Sequence, residues 1–216
     1  MSDGDPPGVR FDREAGVPRL WDQRIGHWIA RRIAGTRLRP NHVTAVDLVL
    51  GLACGVAIAI DYPDLGALLF LVARLIDCVD GELARIQGTA SKFGEYFDLF
   101  AGTCTYLSFF AGLAVWSYLH GNGELVSVLL LVVLAAVMLN TVLLLVRQKL
   151  LHDRTDEFPT LGWLNLEDGA YLIPVGIWLG FPFETFAFVS IGAVLFVLWH
   201  ALQTARRAVV LLRSRS

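Results

Sequence analysis

Charge is scarce in this sequence, and cysteine scarcer still. Only 18% of the 216 residues are Asp, Glu, Lys or Arg, while 55% are hydrophobic and the mean hydropathy is +0.56. That balance excludes a disordered chain, which is poor in apolar residues, and an ordinary soluble domain, which carries more charge. Basic residues are not in excess: 18 Lys and Arg against 20 Asp and Glu leave a formal charge of −2. The electrostatic footprint of a nucleic-acid partner is therefore missing. Cys54, Cys78 and Cys104 are odd in number, form no CxxC pair and lie in or beside apolar blocks. This excludes a disulfide scaffold and reads as small buried thiols. The five histidines show no zinc-site spacing. Residues 1–18 are polar, with Gly, Pro, Asp and Arg and no apolar run, so they predict a flexible tail and not a secretory signal.

What is abundant is apolar sequence in blocks, at 43–60, 65–85, 96–119, 125–146, 169–181 and 185–204. Several approach the roughly 20 residues that a helix needs to cross a bilayer. The predicted fold class is an all-α membrane protein with six transmembrane helices preceded by an amphipathic interfacial helix. For that first helix, over 19–39, Leu20, Trp21, Ile25, Trp28, Ile29 and Ile33 recur at helical spacing while Arg24, Arg31 and Arg32 fall elsewhere. The fifth block is short and contains Pro174 and Gly176. Residues 169–204 would nevertheless run roughly 54 Å as one helix at 1.5 Å per residue, so the chain is expected to turn at 181–184. Turns 61–64, 120–124 and 182–184 contain no Lys or Arg. The positive-inside rule then puts both termini on the cytoplasmic side, with a membrane domain over 40–205 and a basic cytoplasmic tail over 206–216. Gly51 and Gly55 form a GxxxG step that serves either packing within the chain or a dimer face.

The second block carries the chemistry. It holds Arg74 and then reads Asp77-Cys78-Val79-Asp80-Gly81-Glu82-Leu83-Ala84-Arg85. Each Asp or Arg at mid-membrane costs about 2.5 to 3.5 kcal/mol, and each Leu, Ile, Phe or Val returns only about 0.3 to 0.6. A dozen apolar residues do not offset that, so the charges need partners. Asp77 and Asp80 are three apart and project from one side of a helix; Gly81 leaves backbone open to a ligand. After a polar turn, the third block opens with Gly94-Glu95-Tyr96-Phe97-Asp98. Carboxylates from two helix ends make an oxygen-rich pocket of the kind that Mg²⁺ or Mn²⁺ prefers, particularly with a diphosphate supplying further ligands. The competing structural reading is a salt-bridge cluster in which Arg74 and Arg85 neutralise Asp77, Asp80 and Asp98 to fix helix packing. Ionisable groups within spans are more often functional.

These residues resemble the signature of the CDP-alcohol phosphatidyltransferase family: Asp-x-x-Asp-Gly-x-x-Ala-Arg, eight residues, Gly, three residues, Asp, three residues, Asp. Asp77, Asp80, Gly81, Ala84, Arg85, Gly94 and Asp98 match without a gap, and Gly102 stands where the last Asp is expected. Pro40, Asn41 and Thr44 at the opening of the first span fit the same plan. The resemblance implies transfer of a substituted phosphate from a CDP-linked donor, such as CDP-diacylglycerol, to an alcohol, with release of CMP and with Mg²⁺ or Mn²⁺ as cofactor. It implies metal binding by Asp77, Asp80 and Asp98, and nucleotide and diphosphate binding by Asp80, Gly81, Ala84, Arg85 and Gly94. Membrane lipids and a second copy of the chain, as a homodimer, are the partners it implies.

Gly102 supplies neither the last metal ligand nor the proton acceptor that the resemblance assigns to that position. Either another carboxylate substitutes, with Glu95 on the same helix face and Asp47 a turn into the first span as candidates, or the chain binds CDP-lipid and metal without turnover, or Gly102 is an inactivating substitution in an otherwise active protein. A transporter is a different class, but inverted repeats are missing from the sequence. The connection 147–168 carries Arg147, Lys149, His152, Arg154 and Trp163. It reads either as a solvated basic loop or as a cover whose arginines meet an acceptor phosphate.

Overall fold

Residues 21–147, 160–161, 164–165 and 170–213 are described by a computed structural model. Among them are seven helices: α1 (Trp21–Ile33), α2 (Pro40–Ala59), α3 (Pro63–Gln87), α4 (Lys92–Leu119), α5 (Gly123–Val146), α6 (Leu172–Trp178) and α7 (Pro182–Arg213). Two two-residue strands, β1 (Thr160–Leu161) and β2 (Leu164–Asn165), pair antiparallel between α5 and α6.

Local chemistry sets the helix ends. Pro40 and Pro63 occupy the first turns of α2 and α3, where a missing N–H costs nothing. Gly88 ends α3 in the left-handed region, φ 64°, and its N–H returns to the Ala84 and Arg85 carbonyls. Ser91 caps α4 by accepting the Gly94 N–H at 3.1 Å. At the opposite end of the bundle, Asp61 accepts the Trp116 indole N–H at 2.8 Å. The Trp178 indole reaches the Asp64 carbonyl there at 3.1 Å. Those two bonds bring the α2–α3 turn, the end of α4 and the end of α6 to one face.

The main core fills that half of the bundle. Cys54, Ile58, Phe70, Phe109, Leu113 and Phe186 are fully buried together, with the Phe70 and Phe109 rings 4.5 Å apart. A second, smaller cluster at the other end joins Ala30 of α1 to Val79 and Leu83 of α3. Four helices are long and apolar enough to cross a membrane: α2, α4, Leu125–Val146 of α5 and Pro182–Arg207 of α7. Their outer faces agree, since Val49, Val56, Leu131, Phe188, Leu195 and Leu198 are all exposed where a soluble bundle would carry charge.

Two expectations change. The fifth block is not a full-length helix: α6 has seven residues, about 10 Å at 1.5 Å per residue. Its flanks form a short 3₁₀ turn at 170–171 and the left-handed Gly180. The second block is α3, whose 25 residues have the length to span but whose charges keep it out of the apolar set. The first helix, in turn, ends at Ile33, short of the expected 39. Asp22, Gly26 and Ala30 are buried, while Ile25 and Trp28 stay exposed, and Arg32 lies 4.2 Å from the Trp28 ring centre. The helix approaches the α3 backbone closely at Gly26 and leaves Ile25 and Trp28 exposed on another side.

The GxxxG step is spent inside the chain. A Cβ at Gly51 would collide with the Thr105 side chain of α4, one at Gly55 with the Ser108 backbone, and one at Gly112 with the Gly55 backbone. Gly112→Val is therefore expected to destabilise the bundle by about 1–3 kcal/mol or more, the usual penalty of overpacking. Gly102→Ala, whose Cβ would meet nothing within 4 Å among the described residues, should leave stability unchanged or raise it by up to about 1 kcal/mol. Denaturant unfolding in detergent micelles measures both.

Candidate active site

The acidic residues gather where α2 and α4 begin and α3 ends. Helical spacing puts Arg74, Asp77 and Asp80 on adjoining turns of α3, and each finds a partner. Asp80 is 4% exposed and accepts the Thr44 hydroxyl of α2 at 2.5 Å. Asp77 accepts from Arg74 Nη1 at 2.8 Å. The Arg74 guanidinium lies 6.0 Å from the Tyr106 ring of α4, and its Nε has no partner among the described residues. Asp98 of α4 is exposed to the opening between the helices, yet it is within side-chain hydrogen-bonding reach of Asp77 and feels the charges of Asp80 and Asp47. Asp47 of α2 in turn faces Asp77, Asp80 and Arg74 electrostatically.

Fully ionised, these four carboxylates against one guanidinium would carry an excess of three negative charges. Two carboxylates in hydrogen-bonding reach of one another need either a shared proton or a cation between them. The donor set is all hard oxygen, which suits Mg²⁺ or Mn²⁺. As the side chains stand, no three His, Cys, Asp or Glu among the described residues converge closely enough to hold one ion. Asp77 is turned to Arg74 and Asp80 to Thr44, so each would have to give up a protein partner to ligate a cation.

The end of α3 forms the rim. Arg85 Nη2 donates to Glu82 Oε1 at 2.7 Å and its side chain is 63% exposed, against 7% for Glu82. Glu82 also meets His27 Nδ1 of α1 at 2.8 Å. A Cβ at Gly81 would stand 3.7 Å from the Arg85 guanidinium, an ordinary van der Waals contact, so Arg85 folds back along the helix over this position. At Gly94 a Cβ would press on Ser91 Oγ at 3.3 Å and on Asn41 Oδ1 at 3.4 Å. This position is small because the cap of α4 and the start of α2 meet there. One turn further up, Asp22 accepts the Tyr171 hydroxyl at 2.8 Å and lies 3.7 Å from Cys78 Sγ.

Asp98 thus reaches Asp77 and feels the charge of Asp80, while Gly81, Ala84 and Arg85 lie on the last turns of α3 and Gly94 in the first turn of α4. The salt-bridge reading holds for Arg74 and Asp77 but not for Arg85, which pairs with Glu82. Glu95 sits in the exposed first turn of α4. Arg147 is buried beside His200 of α7, Nη1 to Nε2 3.3 Å. Lys149, His152, Arg154 and Trp163 lie outside the described residues. Sequence reasoning missed Glu82 and His27. The spacing of Glu82 to Arg85 was a signal for the first pair; nothing in the sequence pointed to His27, 55 residues away.

A family model described as CDP-alcohol phosphatidyltransferase matches residues 37–213. A bifunctional IPC transferase and DIPP synthase of Thermococcus kodakarensis is 30% identical over 90 residues, 42% of this chain and 20% of that protein. An archaetidylinositol phosphate synthase of Pyrococcus horikoshii is 29% identical over 70 residues, 32% of this chain and 37% of that protein. The matched segments thus span between about a fifth and somewhat over a third of these relatives. The crystal structure of Mycobacterium tuberculosis phosphatidylinositol phosphate synthase with CDP-DAG bound shares the fold. Its TM-score is 0.62 at 20% identity, over 86% of this chain and 92% of that one. The same enzyme in complex with manganese and citrate gives 0.61.

Thr44→Val keeps the shape of the side chain but removes the hydroxyl from Asp80. The expected cost is about 1–3 kcal/mol, that of a buried carboxylate losing its partner, while Thr44→Ser should stay near the parent. Unfolding midpoints of the three proteins in one detergent check this.

Proposed function

The chain belongs to the CDP-alcohol phosphatidyltransferase family, and from that premise we propose that it transfers a phosphatidyl-type group from a CDP-linked lipid, with CDP-diacylglycerol as the expected donor, to an alcohol, releasing CMP. The observation that carries this reading is the meeting of Asp77, Asp80 and Asp98 from α3 and α4 at one end of the bundle, with Arg85 at its rim. In this reading the acceptor hydroxyl oxygen attacks the phosphorus that bears the lipid. The bond from that phosphorus to the oxygen bridging to CMP breaks, CMP departs with that oxygen, and the hydroxyl proton passes to a carboxylate of the cluster.

Asp77, Asp80 and Asp98 would hold Mg²⁺ or Mn²⁺, which when bound neutralises charge on the two phosphates of the donor. Arg85 leaves Glu82 to donate to the diphosphate, and Gly81, Ala84 and Gly94 leave room for the nucleotide. Two relatives are named for inositol phosphate lipids, which makes a phosphorylated inositol the first acceptor to assay. In the membrane the site would open on the cytoplasmic side. The chain would cross six times, α3 and the α6 region included, because the turns at the other face hold no Lys or Arg.

The purified chain in lipid nanodiscs, given CDP-diacylglycerol, Mn²⁺ and a panel of alcohols, is expected to release CMP with at least one acceptor. EDTA should abolish the release, and Asp98→Asn should lower it by about 10²-fold or more, on the scale of lost acid–base function. Retention of CDP-lipid without CMP under every acceptor would replace the transferase reading with that of a binding protein.

A further inference from the structure

Asp47 has no place in the motif. It is 2% exposed on α2, and neither a hydrogen bond nor an ion pair joins it to any described residue. Arg74, the nearest candidate, spends its Nη1 on Asp77. A lone buried carboxylate is costly unless something neutralises it, and this one faces the other three acidic groups.

Its depth follows from the contact between α2 and α4. Gly51 packs on Thr105, and Gly55 on Ser108 and Gly112, so the two helices run side by side and advance together. One turn back along both, four residues toward their starts, Asp47 stands level with residues 101 and 102. Ala101 is fully buried, and a Cβ at Gly102 would meet open space. At this level α4 contributes no acidic group, and α2 contributes one.

We infer that Asp47 supplies, from the neighbouring helix, the fourth acidic group of the divalent-cation site at the depth where α4 carries only Gly102. This rests on the reading of Asp77, Asp80 and Asp98 as cation ligands. It makes Gly102 a compensated position: a carboxylate from the neighbouring helix, at the same depth, stands in for the one that α4 lacks there.

Mn²⁺ binding to the full chain in nanodiscs, read from the paramagnetic resonance signal of free Mn²⁺ with no lipid substrate present, tests the assignment apart from turnover. Asp47→Asn is expected to weaken Mn²⁺ by about 10- to 100-fold, and Gly102→Asp added to it is expected to restore binding to within a few-fold. Unchanged affinity in Asp47→Asn, with affinity lost in Asp98→Asn, would overturn the role of Asp47 and leave the site standing. Loss in Asp47→Asn without rescue by Gly102→Asp would overturn the equivalence of the two positions. Unchanged affinity in both Asp47→Asn and Asp98→Asn would instead sink the cation site itself. Should Asp47→Asn fail to fold, Asp47→Glu takes its place; a shift of several-fold supports the assignment and no shift overturns it.

Discussion

Two helices of this protein touch backbone to backbone, and nearly everything else follows from that contact. Gly55 and Gly112 leave no room for a side chain between α2 and α4, and Gly51 seats the Thr105 side chain. Contacts this close tolerate little sliding, because a slip of one residue would drive a side chain into the opposite backbone. The contact therefore sets how high each residue of α2 stands against α4. It brings Thr44 and Asp47 toward the carboxylates of α3 and α4. A leucine at any of the three glycines would leave the signature intact in sequence and scattered in space.

The bundle separates its two tasks by end. Large aromatic side chains such as Phe70, Phe109, Phe110 and Phe186 close the half where α2 turns into α3. The half where α4 begins holds Arg74 and four aspartates instead. Burying acidic groups beside one another opposes folding; Thr44 and Arg74 offset part of that cost, while the aromatic half holds the helices together. Such a division leaves the site electrostatically unsatisfied without letting the fold come apart.

The α1 helix is tied to the same end by different means. Glu82 lies within the signature but at a position where any residue is allowed, and it links His27 of α1 to Arg85 of α3. Asp22 joins α1 to Tyr171 ahead of α6. Small residues again permit the approach, because a Cβ at Gly26 would stand 3.0 Å from Cys78. The helix that leaves Ile25 and Trp28 exposed is thus wired directly to the arginine at the rim.

The sequence alone was enough for the helical class, for most span positions and for the motif, because hydropathy blocks and residue spacing are local properties that survive without a partner. That Asp98 would fall within reach of Asp77 was legible for the same reason, both being held within a single helix–turn–helix unit. The helical register of α6 was not legible: Pro174 and Gly176 shorten it, and only the packing against α3 and α7 decides where it stops. Nor could spacing reveal the partner of Arg85, the inward use of the GxxxG step or the height of Asp47. Each of these depends on which faces of distant segments meet, and that is decided by steric fit between helices, a property that belongs to pairs of surfaces and not to any one stretch of chain.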